Sequence, residues 1–117
     1  MIKLIMPMRR RPGMSVAEFR EYYESNHRRI GEKYLRGYAV KYMRRFTEAL
    51  PDRDGVLREP EFDVLLEIWY PDRQTFEACS AALARPEVRA EIAADEAKLF
   101  DTRHMRSYLL EEHVSAL

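Results

Sequence analysis

SVAEFREYYESNH, running from Ser15 to His27, decides how this chain is read. Ser15 is placed to cap a helix, and Glu18 three residues later closes a capping box. Phe19, Tyr22, Tyr23, Ile30 and Tyr34 recur near one helical turn and mark a broad apolar face. The spacing predicts a helix from about Val16 to Tyr34 that stops before Gly37. His27 falls at the edge of that face, four residues after Tyr23. A histidine there titrates near neutral pH and is placed to meet a buried ligand.

The flanking segments read as strands. Ile2, Leu4, Met6 and Met8 alternate with Lys3, Ile5 and Pro7, so a first strand ends near Pro7, followed by a basic loop with a Pro12-Gly13 turn. Tyr38 to Phe46 reads as a second strand. Phe62 to Tyr70 is the clearest strand: Phe62, Val64, Leu66 and Ile68 cover the helices, while Leu65, Glu67 and Trp69 face away. Thr75 to Leu83 is helical, and Pro86 opens another helix through Leu99 with Val88, Ile92 and Leu99 as an interrupted apolar stripe. Asp101-Thr102 turns the chain into a last strand from about Arg103 to Leu110. This β-α-β-β-α-β order predicts an α+β, ferredoxin-like sandwich. Residues 1–117 form one domain in this reading, with 111–117 as a C-terminal tail.

Two helices cover only one face of a four-stranded sheet. The other face would expose Leu65, Trp69, and with them Met43 and Leu109, which is costly. A second copy packed sheet face to sheet face covers them and leaves a lined cavity between the twisted sheets. The expectation is therefore a homodimer enclosing a site for a small apolar or aromatic ligand.

Bulk properties narrow the function. Twenty basic and twenty acidic side chains cancel, which argues against broad phosphate attraction and so against nucleic acid as a partner. No apolar run approaches membrane-spanning length, and the apolar-then-basic start reverses the order of a secretory signal. The single Cys79 excludes an intrachain disulfide and fits a cytoplasmic location. Three dispersed histidines give no metal-ligand spacing, and Gly31 and Gly37 stand alone, so neither a metal nor a phosphate-bearing cofactor is expected.

The segment RRRPGMSVAEFREYYESNH, Arg9 to His27, resembles the EthD family within the dimeric α/β-barrel proteins. The likeness rests on the basic-Pro-Gly loop, the Ser-capped helix and the Phe19, Tyr22, His27 arrangement. It continues through the Phe62–Tyr70 strand, Phe76, Pro86 and the acidic patch Ala94-Asp95-Glu96-Ala97 before Phe100-Asp101. The resemblance implies a ferredoxin-like fold with its open sheet face packed in a dimeric barrel around a pocket. It implies no single reaction, because relatives include polyketide cyclases, lactone isomerases, dehydratases and cofactor-free oxygenases.

His27 is the leading acid/base candidate, with Asp95 or Glu96 to orient it or exchange its proton. Tyr22 and Tyr23 can set a phenol beside a ring-bearing ligand. Trp69 can stack on an aromatic substrate and Glu67 accept its proton; in the alternative, Trp69 packs the dimer interface and Glu67 pairs with Lys41 or Arg45. Tyr42 and Arg44 share one strand parity, and His104 lies on the last strand, where an inward basic group would stabilise an enolate or carboxylate. Arg9, Arg10 and Arg11 read as a solvated cluster or as an entrance for acidic substrates. The enzyme reading is cofactor-independent proton transfer of lyase, cyclase or isomerase type on a small cyclic compound. Its rivals are a noncatalytic small-molecule-binding dimer and a cofactor-free monooxygenase.

Overall fold

In a computed structural model describing residues 1–117, alternation and capping produce the elements in the anticipated order. They are β1 (Ile2–Met8), α1 (Val16–Tyr22), a π-helical turn (Tyr23–His27), α2 (Arg28–Leu35), β2 (Lys41–Phe46), β3 (Val64–Tyr70), α3 (Arg73–Leu83), α4 (Pro86–Leu99) and β4 (Tyr108–Leu109). The strands form one antiparallel sheet in the order β2-β3-β1-β4. The result is a mixed α+β fold with one sheet and a helical layer packed on one of its faces. The core lies between them, with Met8, Phe19, Tyr23, Val64, Cys79 and Leu99 almost wholly buried.

The capping box forms as the sequence requires. The Ser15 hydroxyl accepts from the Glu18 amide and the Glu18 carboxylate from the Ser15 amide, each at 3.0 Å. The expected unbroken helix, however, widens at Tyr23–His27 into a π turn, where the Arg28 amide reaches back to the Tyr23 carbonyl. Polar side chains take up carbonyls along this stretch: the Ser25 hydroxyl bonds to Glu21 and Arg28 Nε to Glu24. The widened turn keeps Phe19, Tyr23 and His27 all buried. Their rings stack edge-on with Phe46 and Phe100, centroids 5.3 to 6.1 Å apart.

Other boundaries shift for local reasons. β2 begins at Lys41 rather than Tyr38, because Gly37 turns at φ +90° and the Tyr38 and Ala39 amides still bond to the Leu35 carbonyl. β4 is two residues long instead of eight. Asp101 accepts from the Arg103 amide and grips its guanidinium, winding Thr102–His104 into a 3₁₀ turn. The basic loop after β1 is anchored as well. Buried Asp63 accepts from the Arg10 amide at 2.8 Å and from its guanidinium at 2.6 Å, and Arg9 donates to the Glu61 carbonyl.

Register sorts the two sheet faces. Leu4, Met6, Tyr42, Arg44, Leu66, Ile68 and Leu109 turn toward the helices; Lys3, Ile5, Lys41, Met43, Leu65, Glu67, Trp69 and Tyr108 turn away. Leu109 was expected on the open face and lies on the other. The open face is less oily than the sequence suggested. The Lys3 and Lys41 ammonium groups sit 3.7 and 4.3 Å from the Trp69 ring centroid. The indole N–H donates to Glu67 at 2.9 Å, and Glu67 also pairs with Arg45. No helix is long and apolar enough to cross a membrane.

Asp63→Ala strands the Arg10 amide and frees the basic loop. Urea unfolding is expected to show a loss of about 2 kcal/mol, with the m-value unchanged because the fold itself persists.

Candidate functional site

A cavity lies within the chain, between the helical layer and the sheet. Its volume is about 460 Å³, and 14 of its 20 lining residues are hydrophobic. Leu4, Leu66 and Ile68 form its floor; α2, α3 and α4 supply its walls. The size suits a compact ring system, and the lining favours an apolar one.

His27 lines this cavity from the end of the π turn and is 8% exposed. Its Nδ1 lies 2.7 Å from Asp95 Oδ2. The other Asp95 oxygen accepts from the Tyr22 hydroxyl at 2.5 Å. A carboxylate only accepts, so in the neutral ring Nδ1 carries the proton and Nε2 keeps a lone pair. Burial pushes the imidazole pKa below its ordinary value, with Asp95 pulling in the opposite direction. Burial, reinforced by the Asp95 bond and charge, lifts the Tyr22 phenol to about 12. The arrangement therefore holds a neutral histidine in one fixed orientation.

Tyr23 and Tyr42 also border the cavity. The Tyr23 hydroxyl is the one buried side-chain polar atom without a hydrogen-bond partner. Tyr42 stands beside it, its hydroxyl end fitted against Gly31 so closely that a Cβ there would lie 2.5 Å from the oxygen. Arg44 flanks the two phenols from outside the lining, its guanidinium held by Glu24 at 3.2 and 3.0 Å. On the far wall, Glu96 and Arg89 carry opposite charges; burial raises the Glu96 carboxyl above its usual range, and Arg89 works against that rise.

The candidates named from the sequence thus separate into groups. The structure brings together His27, Asp95 and Tyr22, and puts His27, Tyr23 and Tyr42 on one cavity. Glu67 and Trp69 occupy the opposite sheet face, bonded to each other. His104 is exposed in the 3₁₀ turn, and Arg9, Arg10 and Arg11 lie outside the cavity wall. Arg89 was not singled out in advance, although it shares the α4 face of Ile92 and Glu96 at spacings of three and four. Nowhere do three His, Cys, Asp or Glu side chains converge around a metal-sized space.

Comparison with known proteins bears on the fold. The EthD domain family model matches residues 11–103. A crystal structure of an ethyl tert-butyl ether d (EthD) family protein from Bacillus halodurans superimposes with a TM-score of 0.62 at 19% identity, covering 97% of this chain and 100% of that one. A NIPSNAP-like domain protein from Burkholderia xenovorans gives 0.59 at 18% identity, covering 99% and 88%. No curated protein matches the chain.

The depressed His27 pKa fixes a sign for pH dependence. As pH falls, the unfolded chain takes up the imidazole proton first, near 6.5. The stability contributed by a neutral buried His27 is complete above that pH and is lost as pH drops toward the folded value. Urea titrations at stepped pH are expected to show wild type weakening below about pH 6.5, and His27→Gln weakening less over the same interval.

Proposed function

The chain belongs to the EthD domain family, and on that premise we propose that it binds a small apolar or aromatic compound between its helices and its sheet. The single observation that carries this reading is the apolar cavity of about 460 Å³ lined by residues of one chain. Residues 1–117 act as one such domain, with 111–117 a tail held by a Lys3–Glu112 ion pair at 2.6 Å. Mass analysis of compounds retained after incubation with native extract tests the reading. Wild type retains a ligand, and Ile92→Trp, which fills the cavity wall, retains at most a tenth as much with its fold intact. Equal retention by both proteins places the ligand elsewhere and ends the proposal.

The His27–Asp95–Tyr22 set favours a second reading on the same ligand. Nε2, the ring atom left free by Asp95, takes a proton from an activated C–H, and a phenol or the Glu96 carboxyl returns one to oxygen. This would be cofactor-independent isomerisation, cyclisation or loss of water. Under this reading His27→Ala still binds the retained compound but no longer converts it. Oxygen uptake that depends on the compound would mark a monooxygenase instead.

Self-association is a separate proposal. Ile5, Met43 and Leu65 are half-buried on the open face and Tyr108 is 49% exposed, so a second copy laid sheet to sheet would cover them. Sedimentation equilibrium is expected to give twice the chain mass for wild type and the chain mass for Leu65→Glu, with ligand retention preserved because the cavity lies on the other face.

A further inference from the structure

We propose that Arg89 receives a carboxylate at the mouth of the cavity, so that the compound bound there is an amphipathic acid, with an apolar ring inside and one carboxylate at the rim. The inference rests on the binding reading above and names the chemistry of that site. Exposure sorts the lining. His27, Leu66 and Ile68 are buried, whereas Ser80, Ala84 and Arg89 are exposed where α3 gives way to α4, and there the cavity meets water. Arg89 is the only arginine or lysine among the lining residues. Other guanidinium groups are held by acids: Arg28 by Glu24 and Glu32, Arg44 by Glu24, and Arg103 by Asp101. Arg89 makes no ion pair and no side-chain hydrogen bond, so its fork of donors is left for a guest.

The acid of the lining does not take this cation. Glu96 lies seven residues further along α4, two turns or about 10 Å along the axis, and forms no ion pair with Arg89. Burial raises its carboxyl above the usual range and disfavours the charged form, which weakens both its repulsion of an anion and its attraction for a cation. Arg89 stays charged throughout the working pH range, and its planar guanidinium matches a carboxylate through two parallel bonds. A carboxylate at the rim keeps part of its water, so it avoids the cost of burial among Leu66 and Ile68. A dianionic phosphate would leave one charge unmatched at a single guanidinium. An uncharged ring gains most against the aliphatic floor.

Three probes of one skeleton, differing in the charge of one substituent, test the assignment by calorimetry: 2-naphthoate, 2-naphthalenemethanol and 2-naphthylmethylammonium. Wild type is expected to bind the acid about fivefold more tightly than the alcohol, the worth of a partly exposed ion pair, and the ammonium most weakly. Arg89→Gln brings acid and alcohol within about twofold, and Arg89→Glu reverses the order of acid and ammonium. Arg85→Gln removes an exposed charge one turn away that does not line the cavity, and it keeps the preference for the acid. Added sodium chloride narrows the acid's advantage in wild type and leaves the alcohol unchanged. Equal binding of acid and alcohol, tightest binding of the ammonium, an unaltered preference in Arg89→Gln, the same loss in Arg85→Gln, or binding of none of the three overturns the assignment. Retention of a native compound that Ile92→Trp abolishes would leave the binding reading standing in each of those cases.

Discussion

The cavity depends on how the helical layer is held together. The helix of residues 16–35 and α4 meet through polar clasps: Asp95 receives His27 and Tyr22, and Glu91 receives Tyr34 and Lys33. Apolar side chains at such a seam would interdigitate and draw the helices onto one another and onto the sheet, as protein interiors usually do. Hydrogen bonds instead fix the spacing at the length of two polar side chains. The space between that seam and the floor of Leu4, Leu66 and Ile68 remains open, and it is the cavity.

A buried clasp has to be fully satisfied to be tolerated. Asp95 meets that requirement with two donors, one on each carboxylate oxygen. The same contact sets the chemistry of His27. Burial opposes the imidazolium, Asp95 fixes the tautomer, and the remaining ring nitrogen is left as the only unassigned polar atom of the side chain. Holding the helices apart and presenting a neutral, oriented imidazole are thus two consequences of one pair of side chains. A stability measurement on either residue alone will therefore report both.

Much of this was legible in the chain. Alternation placed β1 and β3, Ser15 and Glu18 marked the helix start, and Pro86 opened α4 at its first residue. The helix-facing parity of Val64, Leu66 and Ile68 followed from period two. Asp95 was visible in a further sense: with Val88, Ile92 and Leu99 it occupies the inward stripe at spacings of four, three and four, where an apolar residue is the norm. An acid in that phase, opposite a histidine in phase with Phe19 and Tyr23, points to a pair. The π turn was not legible: the bonds of Ser25 and Arg28 to backbone carbonyls that accompany it are not revealed by composition. Nor was the length of β4, which Asp101 decides by gripping Arg103.

Long side chains decide how the open face of the sheet is covered within one chain. Reading Trp69 as an exposed apolar surface treats lysine as purely polar, but Lys3 and Lys41 each set an ammonium group over its ring. Arg45 then neutralises Glu67, which binds the indole N–H. Within one chain the two lysine cations and Glu67 partly cover the indole. On the helix side no such cationic cover exists, and the floor is aliphatic. The sheet therefore divides by parity: the odd positions of β1 and β3 lie on the open face, and the even ones face the core, with Leu4, Met6, Leu66, Ile68 and Tyr70 lining the cavity. Substitutions on one face should leave the other face's behaviour intact, because alternate residues along a strand share a backbone but not an environment.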